Sequence, residues 1–102
     1  MAKQITADQF QEEVLNSKDT VLVDFFATWC GPCQAMIPVL DELSAELPAG
    51  KKIVKIDIDE APQLAAQYGV MSIPTFKVFK NGEIVREALG MQPKEALLEM
   101  LS

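Results

Sequence analysis

The most constraining feature of this 102-residue chain is a junction. An apolar run, Val21-Leu22-Val23-Asp24-Phe25-Phe26-Ala27, passes through Thr28 and Trp29 into Cys30-Gly31-Pro32-Cys33 and then into an amphipathic run from Met36 to Leu47. The first run, with Thr20 before it, reads as a strand apolar on both faces, hence central in a sheet and covered on both sides. In the second, Met36, Leu40, Leu43 and Leu47 keep helical spacing while Gln34, Asp41, Glu42 and Glu46 take the wet side. The pair thus falls where a strand ends and a helix begins, and it includes both cysteines of the chain, beside its only tryptophan. A thiolate, not a thiol, is the nucleophile in sulfur exchange. The start of a helix offers unpaired N–H groups and partial positive charge, so a cysteine there is expected to be more acidic than a free one. Two intervening residues let the second sulfur fold back within bonding reach of the first. Gly31 admits unusual backbone angles, and Pro32 holds its φ near helical values.

The flanking sequence supplies a frame for this junction. Thr6-Ala7-Asp8-Gln9 reads as a capping box that opens a helix with Phe10 and Val14 on one face. Asn16 to Asp19 is a turn. Pro38 lies inside the helix after the cysteines and should bend it, and Pro48-Ala49-Gly50 ends it. Lys52 to Ile58 alternates as a strand, with Val54, Ile56 and Ile58 facing one way and Ile53, Lys55 and Asp57 the other. Asp59 to Pro62 opens a short helix that Gly69 closes. Thr75 to Lys80 and Glu83 to Ala88 are strands joined by an Asn81-Gly82 hairpin turn. Pro93 starts a last helix with Leu97, Leu98 and Leu101 available for packing. A short edge strand at Lys3-Gln4-Ile5 completes an α/β reading: one domain over residues 1–102, a central mixed sheet of four to five strands with helices on both faces, and a right-handed parallel crossover.

Composition narrows the chemistry. Half of the chain is hydrophobic (49%) and a quarter charged (24%), as in a globular protein with a core. A net charge of −6 argues against generic nucleic-acid binding, which needs clustered Lys or Arg. No apolar run reaches the roughly 18 residues of a membrane span, and the N-terminal residues lack a signal-peptide core, so a cytoplasmic location is expected. A cytoplasmic Cys-x-x-Cys is more often catalytic or metal-binding than a structural staple. With no histidine and only two cysteines, no four-ligand thiolate site fits one chain, which leaves a zinc shared between two copies as the remaining metal option; no metal is expected.

At this point the chain resembles the thioredoxin family. The likeness rests on VDFFATWCGPC at 23–33, Pro38, KIDID at 55–59, YGVMSIPTF at 68–76, FKNGE at 79–83 and Gly90. Cys-x-x-Cys beside a β-α-β pattern is a recognised redox signature, and Ile-Pro-Thr some 40 residues later makes it specific. The resemblance implies the thioredoxin fold and a general protein-disulfide reductase acting through a reversible Cys30–Cys33 disulfide. Cys30 would attack and Cys33 resolve, with Gly31 and Pro32 tuning the pair. Asp24 would be the buried acid that helps Cys33 lose its proton, moderated by Lys55. Pro74 would be a cis-proline beside the sulfurs. Trp29, Ile73, Pro74 and Gly90 would border a groove for partner chains, with Met71 and Met91 at its rim. Partners would be protein disulfides and a thioredoxin reductase as electron donor; the chain carries no nucleotide motif and is expected to bind no cofactor and to work as a monomer. It departs from common family patterns at Phe26, where a second tryptophan is frequent, at Gln34, where a cation is frequent, at Met91, and in a short last helix.

Plainer readings stand beside these. Asp24 could pair with Lys55 or cap backbone groups. X-Pro bonds are usually trans, so only the resemblance points to cis at Pro74. Trp29 could be core. The whole domain could be a binding module with incidental cysteines, or an oxidase or isomerase, although Gly-Pro between the cysteines and the missing signal peptide speak against the last.

Overall fold

The computed structural model describes residues 2–102. Five strands form one sheet: β1 (Lys3–Ile5), β2 (Thr20–Phe26), β3 (Lys51–Asp57), β4 (Thr75–Lys80) and β5 (Glu83–Leu89), in the spatial order β1-β3-β2-β4-β5. β3 runs parallel to both β1 and β2, whereas β4 is antiparallel to β2 and β5 to β4. The mixed sheet expected from a β-α-β unit followed by a hairpin is therefore present, with five strands. The apolar run places β2 in the middle, and every residue from Val21 to Phe26 is buried.

Alternation along β2 and β3 divides the core into two layers. Val21, Val23, Phe25, Val54 and Ile56 pack on one face with Phe10 and Val14 of the N-terminal helical segment and with Leu64 and Tyr68 at helix α2 (Pro62–Gln67). Leu22, Ile53, Phe76 and Val78 pack on the other with Met36, Leu40 and Leu43 of helix α1 (Gly31–Glu46) and with Leu97 and Leu101 at helix α3 (Lys94–Met100). Lys94 ties α3 to α1 by donating to Glu42 Oε1 at 2.6 Å and Glu46 Oε2 at 2.8 Å. Pro38 is accommodated inside α1, which continues to Glu46.

Three local expectations need correction. The N-terminal segment is not an α-helix but a 3-10 turn (Ala7–Gln9) leading into a π-helix (Gln11–Leu15). Thr6 N–H donates to Gln9 Oε1 at 2.9 Å, as a capping box requires. The far end is wide instead: Asn16 N–H reaches back five residues to the Gln11 carbonyl at 2.8 Å, and Gln11 Nε2 donates to the Asn16 side chain at 3.0 Å. Leu98 is 41% exposed, because Leu97 and Leu101, four residues apart, already define the buried stripe of α3. Gly31 does not use the unusual angles open to glycine; it is the first residue of α1, and a Cβ there would meet nothing within 4 Å. The hairpin does use them: Asn81 (φ 54°) and Gly82 (φ 80°) both lie in the left-handed region that a two-residue turn demands.

Candidate active site

β2 ends at Phe26, and the chain turns through Ala27 to Trp29 into α1, whose N-cap is Cys30. A disulfide joins Cys30 and Cys33, whose Cα atoms are 5.2 Å apart. The N-cap position has a direct consequence. Cys30 Sγ accepts a hydrogen bond from the Cys33 backbone N–H at 3.2 Å, one of the donors that the first turn leaves unpaired. Any negative charge on that sulfur sits where the helix dipole favours it. Both cysteines are buried, in a small cluster with Phe26, Ala27 and, at its edge, Ile73.

The Ile73–Pro74 peptide is cis, as the resemblance implied and the usual preference of X-Pro bonds did not. The Ile73 carbonyl oxygen lies 3.8 Å from Cys30 Sγ. Gly90 N–H donates to the Pro74 carbonyl at 2.8 Å, so the Gly90 segment is held against the same loop. Trp29, Met71 and Met91 are strongly exposed, at 69%, 97% and 57%, with Leu89 adding 66% on the neighbouring strand end. The core reading of Trp29 is thereby set aside. Its indole Nε1 donates to Asp59 Oδ2 at 2.7 Å, which holds the ring in place while leaving its surface open.

Asp24 shares its face of β2 with Leu22 and Phe26. The first packs under α1, and the second packs with the cysteines, so Asp24 lies beneath the opening turns of that helix. It is 1% exposed, and among the described residues neither carboxylate oxygen has a hydrogen-bond partner. Burial pushes its carboxyl up from 3.8 to about 7, and the charge of Lys55 pulls it partly back. Lys55 is in register with Asp24 on the adjacent strand. Among the described residues, however, the two form no ion pair. Lys55 Nζ sits 4.5 Å above the Phe26 ring instead, a cation–π arrangement. Neither plain reading of Asp24, paired or capping, is realised. Phe26, read from sequence only as a departure from the family pattern, is the perch that keeps the ammonium off the carboxylate.

Two contacts were missed in the sequence. Asp59 gave one usable signal: β2 and β3 are parallel neighbours, so the residues following them, Trp29 and Asp59, emerge at the same sheet end. Gln34 gave none beyond its lack of charge. Its amide donates to the Thr28 carbonyl at 2.9 Å, bracing the turn before Cys30 against the first turn of α1.

The comparison with known proteins agrees with this geometry. The family model described as Thioredoxin matches residues 1–102. The chain belongs to the thioredoxin family. It is similar to a thioredoxin of Rickettsia felis, 46% identical over 102 residues that span all of this chain and 97% of that protein. It is 47% identical over 100 residues to thioredoxin 1 of a Nostoc species, covering 98% of this chain and 94% of that one. A thioredoxin of Listeria monocytogenes is 47% identical over 102 residues, the whole of this chain and 97% of its own length. As a thioredoxin-family protein with a vicinal cysteine pair at a helix start, the chain is a dithiol–disulfide oxidoreductase.

Proposed function

We propose that the protein is a protein-disulfide reductase in which Cys30 attacks and Cys33 resolves. The observation that carries this is the asymmetry of the two sulfurs: Cys30 Sγ caps α1 and receives the Cys33 N–H, whereas Cys33 lies within the first turn. In the reduced protein the Cys30 thiolate attacks one sulfur of a substrate disulfide. The substrate S–S bond breaks, a mixed disulfide forms, and the displaced sulfur leaves as a thiolate that takes a proton from water. Cys33 then gives up its proton and attacks Cys30 Sγ, releasing the second substrate thiol and leaving the Cys30–Cys33 disulfide.

Asp24 is the acceptor for the Cys33 proton, because a buried carboxylate poised near neutrality binds a proton readily and lies beneath α1. Lys55 moderates that affinity from its perch on Phe26. Pro32 fixes the first turn of α1, and Gly31 leaves the surface beside the pair without a side chain. Trp29, Ile73, Pro74, Gly90, Met71 and Met91 form the contact surface for extended substrate segments, which can pair with the Ile73 backbone strand-to-strand. Exposed methionines tolerate varied partners. A thioredoxin reductase returns two electrons after each turnover. The chain works as a single monomeric domain in the cytoplasm.

Insulin reduction tests this. Cys30→Ser abolishes turnover, and Cys33→Ser accumulates a covalent complex with substrate. A Cys30→Ser protein that reduces insulin at the wild-type rate ends the proposal, and a wild-type protein that reduces no insulin leaves a binding module.

A further inference from the structure

A cavity of about 260 Å³ opens at the end of the sheet opposite the disulfide, and its charge is unlike that of the rest of the molecule. It is formed where β2 and β3 begin, β4 ends and α3 stops. Lys51, Lys80 and Arg86 line it, together with Thr20. Among the described residues no aspartate or glutamate side chain lines it, although the chain carries 15 acidic residues against 9 basic ones. Among the described residues none of these three cations makes an ion pair, whereas Lys3, Lys52, Lys77 and Lys94 all do. Among the described residues the Arg86 side chain donates only to the neighbouring Val85 carbonyl, at 2.9 Å. Three like charges around one concavity repel each other and focus a positive potential into it. The rest of the wall is apolar at Val85, Met100 and Leu101 and polar at Ser102, whose hydroxyl donates to the Glu99 carbonyl at 2.6 Å.

We infer that this cavity binds an organic phosphate. The guanidinium and the two ammonium groups supply the multiple N–H donors that a phosphate takes, Arg86 in a planar fork and the lysines as point charges. The apolar wall takes the carbon portion of the ligand. β2 spans seven residues between the Thr20 end and the cysteine end, roughly 20 Å at about 3.3 Å per residue, so the site is separate from the disulfide. Its occupancy and the redox reading stand or fall independently.

The test is a ¹⁵N-HSQC titration of the oxidised full chain with phenyl phosphate and, separately, inorganic phosphate at physiological ionic strength. Saturable shifts confined to the amides of Thr20, Lys51, Lys80, Arg86 and Leu101 are expected, with phenyl phosphate binding more tightly. The Lys51→Gln/Arg86→Gln double variant should weaken phenyl phosphate about tenfold or more. Lys3→Gln/Lys52→Gln removes the same charge around Glu13 and should leave affinity unchanged. Insulin reduction should proceed at the same rate with and without phenyl phosphate. Phenyl phosphate binding no more tightly than inorganic phosphate, or binding untouched by the Lys51/Arg86 variant, overturns the site and reduces these cations to companions of the α3 C-terminus.

Discussion

Asp24 and Lys77 are buried charged residues on adjacent strands of one sheet, and the fold treats them in opposite ways. Lys77, on β4, is 5% exposed and forms an ion pair with Glu87, its register partner on β5. Asp24, on β2, is 1% exposed with no side-chain hydrogen-bond partner among the described residues, and the one cation in register with it lies over Phe26. A buried charge that is paired is a matter of architecture. A buried carboxyl left unpaired is expensive to ionise, and it survives where its reluctance to ionise is useful. The contrast separates a structural charge from a chemical one without reference to where the cysteines are.

The largest effect that could break this contrast is at Asp24. Its carboxyl is raised in the folded protein, so between about pH 4 and about pH 7 the folded state holds a proton that the unfolded state has lost. Stability therefore falls as pH rises through that window and levels off above it. At about 1.4 kcal/mol per unit, ionised Asp24 costs the fold on the order of 4 kcal/mol. Asp24→Asn should remove the slope, raise stability at pH 8 by a few kcal/mol, and slow release of substrate from the mixed disulfide. Urea denaturation across pH and stopped-flow decay of the mixed disulfide read these separately. A variant with the wild-type slope assigns the pH dependence elsewhere.

The converse substitution sharpens the other side. Glu87→Ala leaves the Lys77 ammonium buried without its partner and should cost about 1–3 kcal/mol, discounted because Glu87 itself is half-exposed. Lys77→Met should be close to neutral. Neither should alter insulin reduction. A change in rate would mean that the pair is not merely structural.

The smallest effect belongs to an exposed polar contact. Asp59→Ala frees the Trp29 ring and should lose about 0.5–1 kcal/mol, read as a two- to fivefold rise in KM for insulin with kcat preserved. A fall in kcat alone would mean that Asp59 acts on the chemistry rather than on the ring.

Much of this was legible in the sequence where one residue type has one physical use. The doubly apolar β2, the Asn81-Gly82 turn, and the Pro and Gly that bracket α2 each permit few alternatives, and the cysteine pair followed from the strand-to-helix junction. What stayed hidden depends on pairs far apart in the chain. Nothing in the strand Thr75 to Lys80 marks Lys77 as paired; only the β4–β5 register brings Glu87 to it. Lys55 could reach either Asp24 or Phe26, and spacing does not distinguish a salt bridge from a perch on a ring. The cis Ile73–Pro74 bond was readable by resemblance alone. The widened helical turn at Gln11–Leu15 has no signature in its composition.

The central claim is that the opening turn of α1 stabilises charge on one sulfur. Iodoacetamide alkylation of Cys30 in the reduced protein, followed across pH, tests it most directly. The geometry predicts a midpoint well below the value of about 8.5 for free cysteine, with Cys33 reacting more slowly throughout. A Cys30 curve superimposable on that of a free thiol would contradict the account.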